Sequence, residues 1–119
     1  MQIKFSNDKP IFLQVAEIIK NDILSEKFQT NEKLPSVRDF ASFYSINPNT
    51  VQKALQILEE DGLIVTDRTN GKFVANNKQN IESQKKQIIN NEISVFFEKM
   101  KSLGLSEKEI KNLVNNKGV

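Results

Sequence analysis

Two helix starts, set close together, constrain this chain more than any other feature. The run Leu34-Pro35-Ser36-Val37-Arg38-Asp39-Phe40-Ala41 is followed by Asn47-Pro48-Asn49-Thr50-Val51-Gln52-Lys53-Ala54-Leu55. Ser36 is a good helix cap, and Asp39 sits three residues on, near the positive end of the helix dipole. Asn47 is a second cap, with Pro48 at the first helical position, where a fixed φ and a missing N–H are harmless. Only Ser45-Ile46 remain as a turn. The first stretch predicts a short helix burying Phe40, Ala41 and either Tyr44 or Phe43. The second predicts a longer helix running to Asp61 and stopped by Gly62. Val51, Ala54, Leu55 and Leu58 share its inner face, with Ala54 small where helices must approach closely. Asn49, Gln52, Lys53 and Gln56 lie opposite. Two helices joined by a tight turn make a helix-turn-helix.

The flanks complete a domain around that pair. Pro10 opens an earlier helix, in which Ile11, Val15, Ile18, Ile19 and Ile23 recur at helical spacing and predict a core stripe ending near Ser25. Residues 26–35 read as a polar connection. After the third helix, Leu63-Ile64-Val65-Thr66 is β-rich, and Lys72-Phe73-Val74-Ala75 returns. Asn70-Gly71 between them predicts a two-residue hairpin turn with positive φ at both positions. A hairpin after a helix-turn-helix is a winged helix. The fold class expected is therefore mostly α with a small β-hairpin.

Residues 1–76 form the expected winged domain, and residues 77–119 a helical tail. Asn76-Asn77-Lys78-Gln79-Asn80 reads as a linker. Ile89, Ile93, Phe96, Met100 and Leu103 then step by 4, 3, 4 and 3, a heptad pattern widened by Phe97 and Ile88. Gly104 ends that helix. Ser106-Glu107-Lys108-Glu109 is a capping box opening a last helix with Ile110, Leu113 and Val114. Such a short tail cannot hide Ile89, Ile93, Phe96, Phe97, Met100 and Leu103 by itself, which points to a homodimer.

Composition removes whole classes of chemistry. Cysteine, histidine and tryptophan are absent. Disulfides, thiolate or imidazole metal sites, Cys nucleophiles and His bases are therefore excluded. Neither G-x-x-x-x-G-K-[ST] nor G-x-G-x-x-G occurs. No enzyme, metal or cofactor is expected. There is no apolar run near the length of a membrane span and no signal-peptide core, so a cytoplasmic location is expected. The 119 residues carry a net charge of +2. Residues 1–76 hold nine Lys/Arg against ten Asp/Glu, a net of −1, and the tail holds eight against five, a net of +3. Any affinity for nucleic acid must come from local placement of charge.

That placement is suggestive. The exposed start of a second helix is the part of such a motif that enters a DNA major groove. The start at Pro48 promises unpaired backbone N–H groups and a positive dipole end for a phosphate. Asn47, Asn49, Thr50 and Gln52 have the reach for bases or phosphates, and Asn or Gln pairs adenine bidentately. Lys33, Arg38, Lys53 and Lys72 supply charge. Glu59, Glu60 and Asp61 stand at the far end of the third helix. The competing reading is a winged-helix protein-interaction module, which the polar, Lys-bearing face disfavours.

Residues 10–75 resemble the DNA-binding domain of GntR-type bacterial regulators. The matching pieces are Pro10-Ile11-Phe12 with Gln14, Leu34-Pro35-Ser36 with Arg38, Asn49-Thr50-Val51 with Ala54, Leu58 with Gly62-Leu63-Ile64, and Gly71-Lys72-Phe73-Val74. The resemblance implies contact with double-stranded operator DNA through Arg38, Asn47, Asn49, Thr50, Gln52 and Gly71. To these the residue reading adds Lys33, Ser36, Pro48, Lys53 and Lys72. GntR regulators commonly add a large effector domain; the short tail looks instead like the YtrA-type subfamily, whose two tail helices dimerise. The resemblance further implies a repressor, often of a neighbouring ABC-transporter operon. No effector ligand is named by these residues. Two departures stand out: Asn31 replaces a glycine before the Leu-Pro-Ser run, and Thr69 replaces a second wing glycine, implying a shallower wing contact.

Overall fold

The computed structural model describes residues 4–116. Five helices and one hairpin follow in the order α1 (Ile11–Leu24), α2 (Val37–Tyr44), α3 (Pro48–Glu60), β1 (Ile64–Asp67), β2 (Gly71–Val74), α4 (Lys78–Ser102) and α5 (Glu107–Asn115). The chain divides into two compact units, residues 1–82 and 83–119.

In the first unit α3 is the central element, packed on both α1 and α2 and leading into β1. Its inner face is Val51, Ala54, Leu55 and Leu58, all buried as their spacing predicts. Burial of each large aliphatic side chain contributes about 1.5–3 kcal/mol. Val15, Ile19 and Ile23 of α1 join this core, together with Leu34, Phe40, Tyr44, Leu63, Ile64 and Val74. One position of the expected α1 stripe is exposed, and on α2 the choice left open is decided. Ile11 is exposed, because it opens the helix one step before the packed turn, and Pro10 is the residue flanking α1, with ψ 143°. On α2, Tyr44 faces inward and Phe43 outward.

Local chemistry sets the helix ends. The Ser36 hydroxyl accepts from the Asp39 N–H at 3.0 Å, and the Asn47 carboxamide oxygen accepts from the Asn49 N–H at 2.7 Å. The turn between α2 and α3 is made by Ser45 in the left-handed region, with φ 57°. Gly62 follows α3 at φ 76°, where a side chain is strained.

The wing is built differently from its expected turn. Its strands pair antiparallel, Ile64 with Val74 through Asp67 with Gly71. The connection is therefore the three residues Arg68, Thr69 and Asn70, and of Asn70 and Gly71 only Gly71 has positive φ, at 107°. Asp67 directs this outcome. Its carboxylate accepts the N–H of Thr69 at 2.9 Å and of Asn70 at 3.2 Å, a side-chain turn that competes with the two-residue form. Those bonds hold the Asp67 carboxyl below the usual carboxylate range.

The polar connection before α2 also has a structure its composition conceals. Asn31 N–H donates to Val74 O, Val74 N–H to Glu32 O, and Leu34 N–H to Lys72 O, with a β-bridge between Lys33 and Phe73. Residues 31–34 thus lie along β2 as an extra edge. Asn31 adopts φ 69°, the left-handed conformation open to asparagine.

The expected linker is shorter than its composition suggests. The Asn77 side chain caps α4 by accepting from the Asn80 N–H at 3.1 Å, so the helix begins at Lys78. Ile81 is buried and Asn80 donates to Asp61 O at 3.1 Å, which seats the first turn of α4 in the first unit. In the second unit the Ser106/Glu109 capping box is fully formed. Ile110 is buried, while Ile89, Ile93, Phe96, Leu103, Leu113 and Val114 are exposed.

Candidate nucleic-acid interface

The exposed start of α3 and the wing carry most of the residues singled out in the sequence. Asn47, Pro48, Asn49, Gln52 and Lys53 are exposed, and Thr50 is half-buried. They stand opposite Val51, Ala54, Leu55 and Leu58, so the core fixes the direction of the polar face. Lys33, Ser36, Arg38 and Gly71 are exposed as well.

The open backbone amides are not where the sequence placed them. Pro48 has no N–H, Asn49 N–H is taken by the Asn47 side chain, and Thr50 and Val51 N–H both reach Asn47 O. The first turn of α3 therefore offers its dipole but no spare donor. At α2 the cap reaches only Asp39, and among the described residues no protein acceptor meets the N–H of Val37 or Arg38. The open pair of backbone donors is therefore at α2, not α3. The capping side chains keep donors of their own: the Ser36 O–H and the Asn47 amide N–H groups remain available while their oxygens accept.

A cleft of about 490 Å³ separates the start of α2 from the wing. Lys33, Ser36, Val37, Arg68, Gly71 and Lys72 line it. Lys33 comes to Gly71 closely: a Cβ there would lie 3.4 Å from the Lys33 Cε. The bridge to Phe73 explains this meeting. Arg68, which the residue pattern did not separate from ordinary surface, belongs to this cleft because the three-residue turn puts it there.

The cations are not equivalent. Among the described residues no carboxylate lies within 4.0 Å of Lys33, Arg38 or Arg68. Lys72 is engaged instead. Its ammonium donates to Thr66 Oγ1 at 2.8 Å and stands 3.5 Å from Glu59 Oε1, while Thr66 donates to Glu59 Oε2 at 2.8 Å. Lys53 leans on α1, its Nζ 5.7 Å from the Phe12 ring centroid. Among the described residues no group of His, Cys, Asp or Glu could hold a metal ion, and no helix is long and apolar enough to cross a membrane.

Residues 12–74 match the family model for bacterial regulatory proteins of the gntR family. The HTH-type transcriptional regulator YhcF of Bacillus subtilis, itself uncharacterised, is 33% identical over 110 residues, covering 92% of this chain and 91% of that protein. The HTH-type transcriptional repressor YtrA of the same organism is 32% identical over 103 residues, covering 87% and 75%. A GntR family transcriptional regulator from Listeria monocytogenes has the same fold, with a TM-score of 0.88 and 32% identity over 94% of this chain and 98% of that one. A helix-turn-helix and hairpin in this order, with relatives matching nearly end to end, identify the chain as a non-enzymatic, DNA-binding transcriptional regulator of the gntR family, with YtrA-type proteins among its relatives.

Proposed function

We propose that the chain acts in the cytoplasm as a homodimeric repressor that occupies an inverted-repeat operator. Each subunit lays α3 in a major groove, with half-site centres on the order of 34 Å apart. Asn49 and Gln52 read base edges. Lys33, Arg38 and Arg68, with the free amides at α2, hold phosphates on either side of the cleft; Asn47, Thr50 and Ser36 add polar contacts. Pro48 presets the entry of α3. Lys53 and Lys72 are secondary, since each already has a partner within the chain. Gly71 permits close approach of the wing backbone.

The observation that carries this reading is the segregation of charge. A winged unit with net −1 presents three cations without carboxylate partners around one open polar helix start. Its carboxylates Glu59 and Asp61 are drawn toward Lys72 and Lys20. Dimerisation rests on Ile89, Ile93, Phe96, Phe97, Met100 and Leu103, of which Ile89, Ile93 and Phe96 stand exposed on α4 and Leu103 just beyond its end. The relative named a repressor and the family's habit of governing adjacent transporter genes make an ABC-transporter operon the proposed target.

Selection of bound duplexes from a random pool, at fixed salt, tests the proposal. An enriched inverted repeat is expected. Binding that is salt-sensitive but without an enriched sequence overturns operator recognition, and no binding at all favours a protein partner for α3.

A further inference from the structure

A second concave site lies in the first unit, at the side of α2. It is a groove of about 340 Å³ bounded by the rings of Phe28, Phe40, Phe43 and Tyr44 and by the carboxylates of Asp22 and Asp39. The rings pack on one another along one wall of the groove. Phe40 and Tyr44 are parallel, with centroids 6.0 Å apart. Phe43 meets Tyr44 edge-on at 5.1 Å, and Phe28 meets Phe40 edge-on at 6.3 Å. Phe40 and Tyr44 are buried, but Phe43 is 56% exposed, leaving an uncovered ring at the mouth.

We infer that this groove binds a small organic cation of the alkylammonium class. Aromatic faces carry negative potential and attract ammonium groups, most strongly where water is displaced. Two carboxylates on the rim add to that field. Asp39 has no cation within 4.0 Å among the described residues, and Asp22 is met only by Lys27 at 3.7 Å, a side chain that is 76% exposed. An anion entering the groove meets two like charges, and a neutral alkyl group gains the rings but leaves the carboxylates unused. Burial and the neighbouring Asp22 raise the Tyr44 hydroxyl above its ordinary value, so that ring stays neutral at pH 7. The volume lies at the small end of ligand sites, which suits an alkylammonium head with a short chain.

The site carries its own reporter. Tyr44 is the one tyrosine of the chain, and tryptophan is absent. Intrinsic fluorescence of the full chain, without DNA, is titrated with hexyltrimethylammonium, 1-hexanol and hexanesulfonate at matched ionic strength. The cation is expected to produce a saturable change at concentrations about tenfold below those needed by hexanol, with no response to hexanesulfonate. Asp39→Asn, a change at an exposed position, is expected to weaken the cation about tenfold, with thermal unfolding lowered only slightly by loss of its charge from the first turn of α2. Absence of a saturable response overturns the inference. So does hexanol binding as tightly as the cation, or equal affinity in Asp39→Asn. The readout is indifferent to operator recognition, so either reading can fail alone.

Discussion

The two units of this chain treat their apolar residues in opposite ways. In the winged unit, Val15, Ile19, Val51, Leu55, Leu58 and Leu63 are closed off by three helices and a hairpin. In residues 83–119, Ile110 is buried, while Ile89, Ile93 and Phe96 face outward on a helix whose opposite side is equally open. A closed core makes a domain stable by itself and frees its surface for recognition. An open stripe makes no such core and supplies the area from which an interface is built. The contrast teaches that, on the proposed function, recognition and assembly fall to separate stretches of sequence, a separation that mutation tests.

Four substitutions test that separation. The largest effect is expected from Phe96→Asp, which places a charge in the open stripe and should weaken a dimer by roughly 4 kcal/mol or more, the upper range for interface hot spots. Sedimentation at micromolar concentration is then expected to show monomers, and a persisting dimer would refute the tail's role. Leu55→Ala opens a cavity in the closed core and should cost about 2–5 kcal/mol in denaturant unfolding. Its effect on monomer–dimer equilibrium should be small where the protein remains folded. Arg38→Ala touches neither core nor stripe and should weaken operator binding by roughly 1–3 kcal/mol, read by fluorescence anisotropy, with unfolding unchanged. The smallest is Ser106→Ala, which removes the cap of α5 and should cost about 1 kcal/mol of local stability, visible as faster amide exchange at Glu109.

Acidification offers a milder probe of the wing. The folded Asp67 carboxyl is lowered by its bonds from Thr69 and Asn70. A depressed folded value means the turn's support is fully present above the unfolded carboxylate range and is lost as pH falls through the folded value. The amide resonances of Thr69 and Asn70 are expected to shift together in that window. Asp67→Asn should remove the titration, and a shift that survives it would assign the effect to another group.

How much of this was legible in the sequence depends on the range of the interaction that decides each feature. The inner face of α3 follows from a period of 3.6 residues, and both caps follow from groups two or three residues apart. The wing turn did not, although its determinant is near in sequence, because Asn70-Gly71 and Asp67 favour different turns and the pattern shows only the first. The edge at residues 31–34 shows no alternation; it forms through backbone bonds to Lys72 and Val74, which side-chain pattern does not encode. The polar face of α3 was legible because the core fixes its direction. The engagement of Lys72 was not, since it depends on Thr66 and Glu59 meeting across the wing and the end of α3. The misplaced amides have a similar cause: Asn47 was recognised as a cap, but its occupation of Asn49 N–H and Pro48's lack of one leave α3 without spare donors.

The triad of Lys72, Thr66 and Glu59 has a consequence for how binding responds to ionic strength. A lysine moving from water to a phosphate expels condensed cations from DNA, and each such event steepens the salt dependence by about 0.9 in logarithmic slope. Lys72 starts from Glu59 instead. On the proposed function, a phosphate that draws Lys72 away releases a DNA cation but leaves the Glu59 carboxylate to the salt ions, which offsets part of that release. Lys72 would therefore add less to the slope of a salt titration than the proposed contacts of Lys33, Arg38 and Arg68. Glu59→Gln is expected to remove that offset and to steepen the slope.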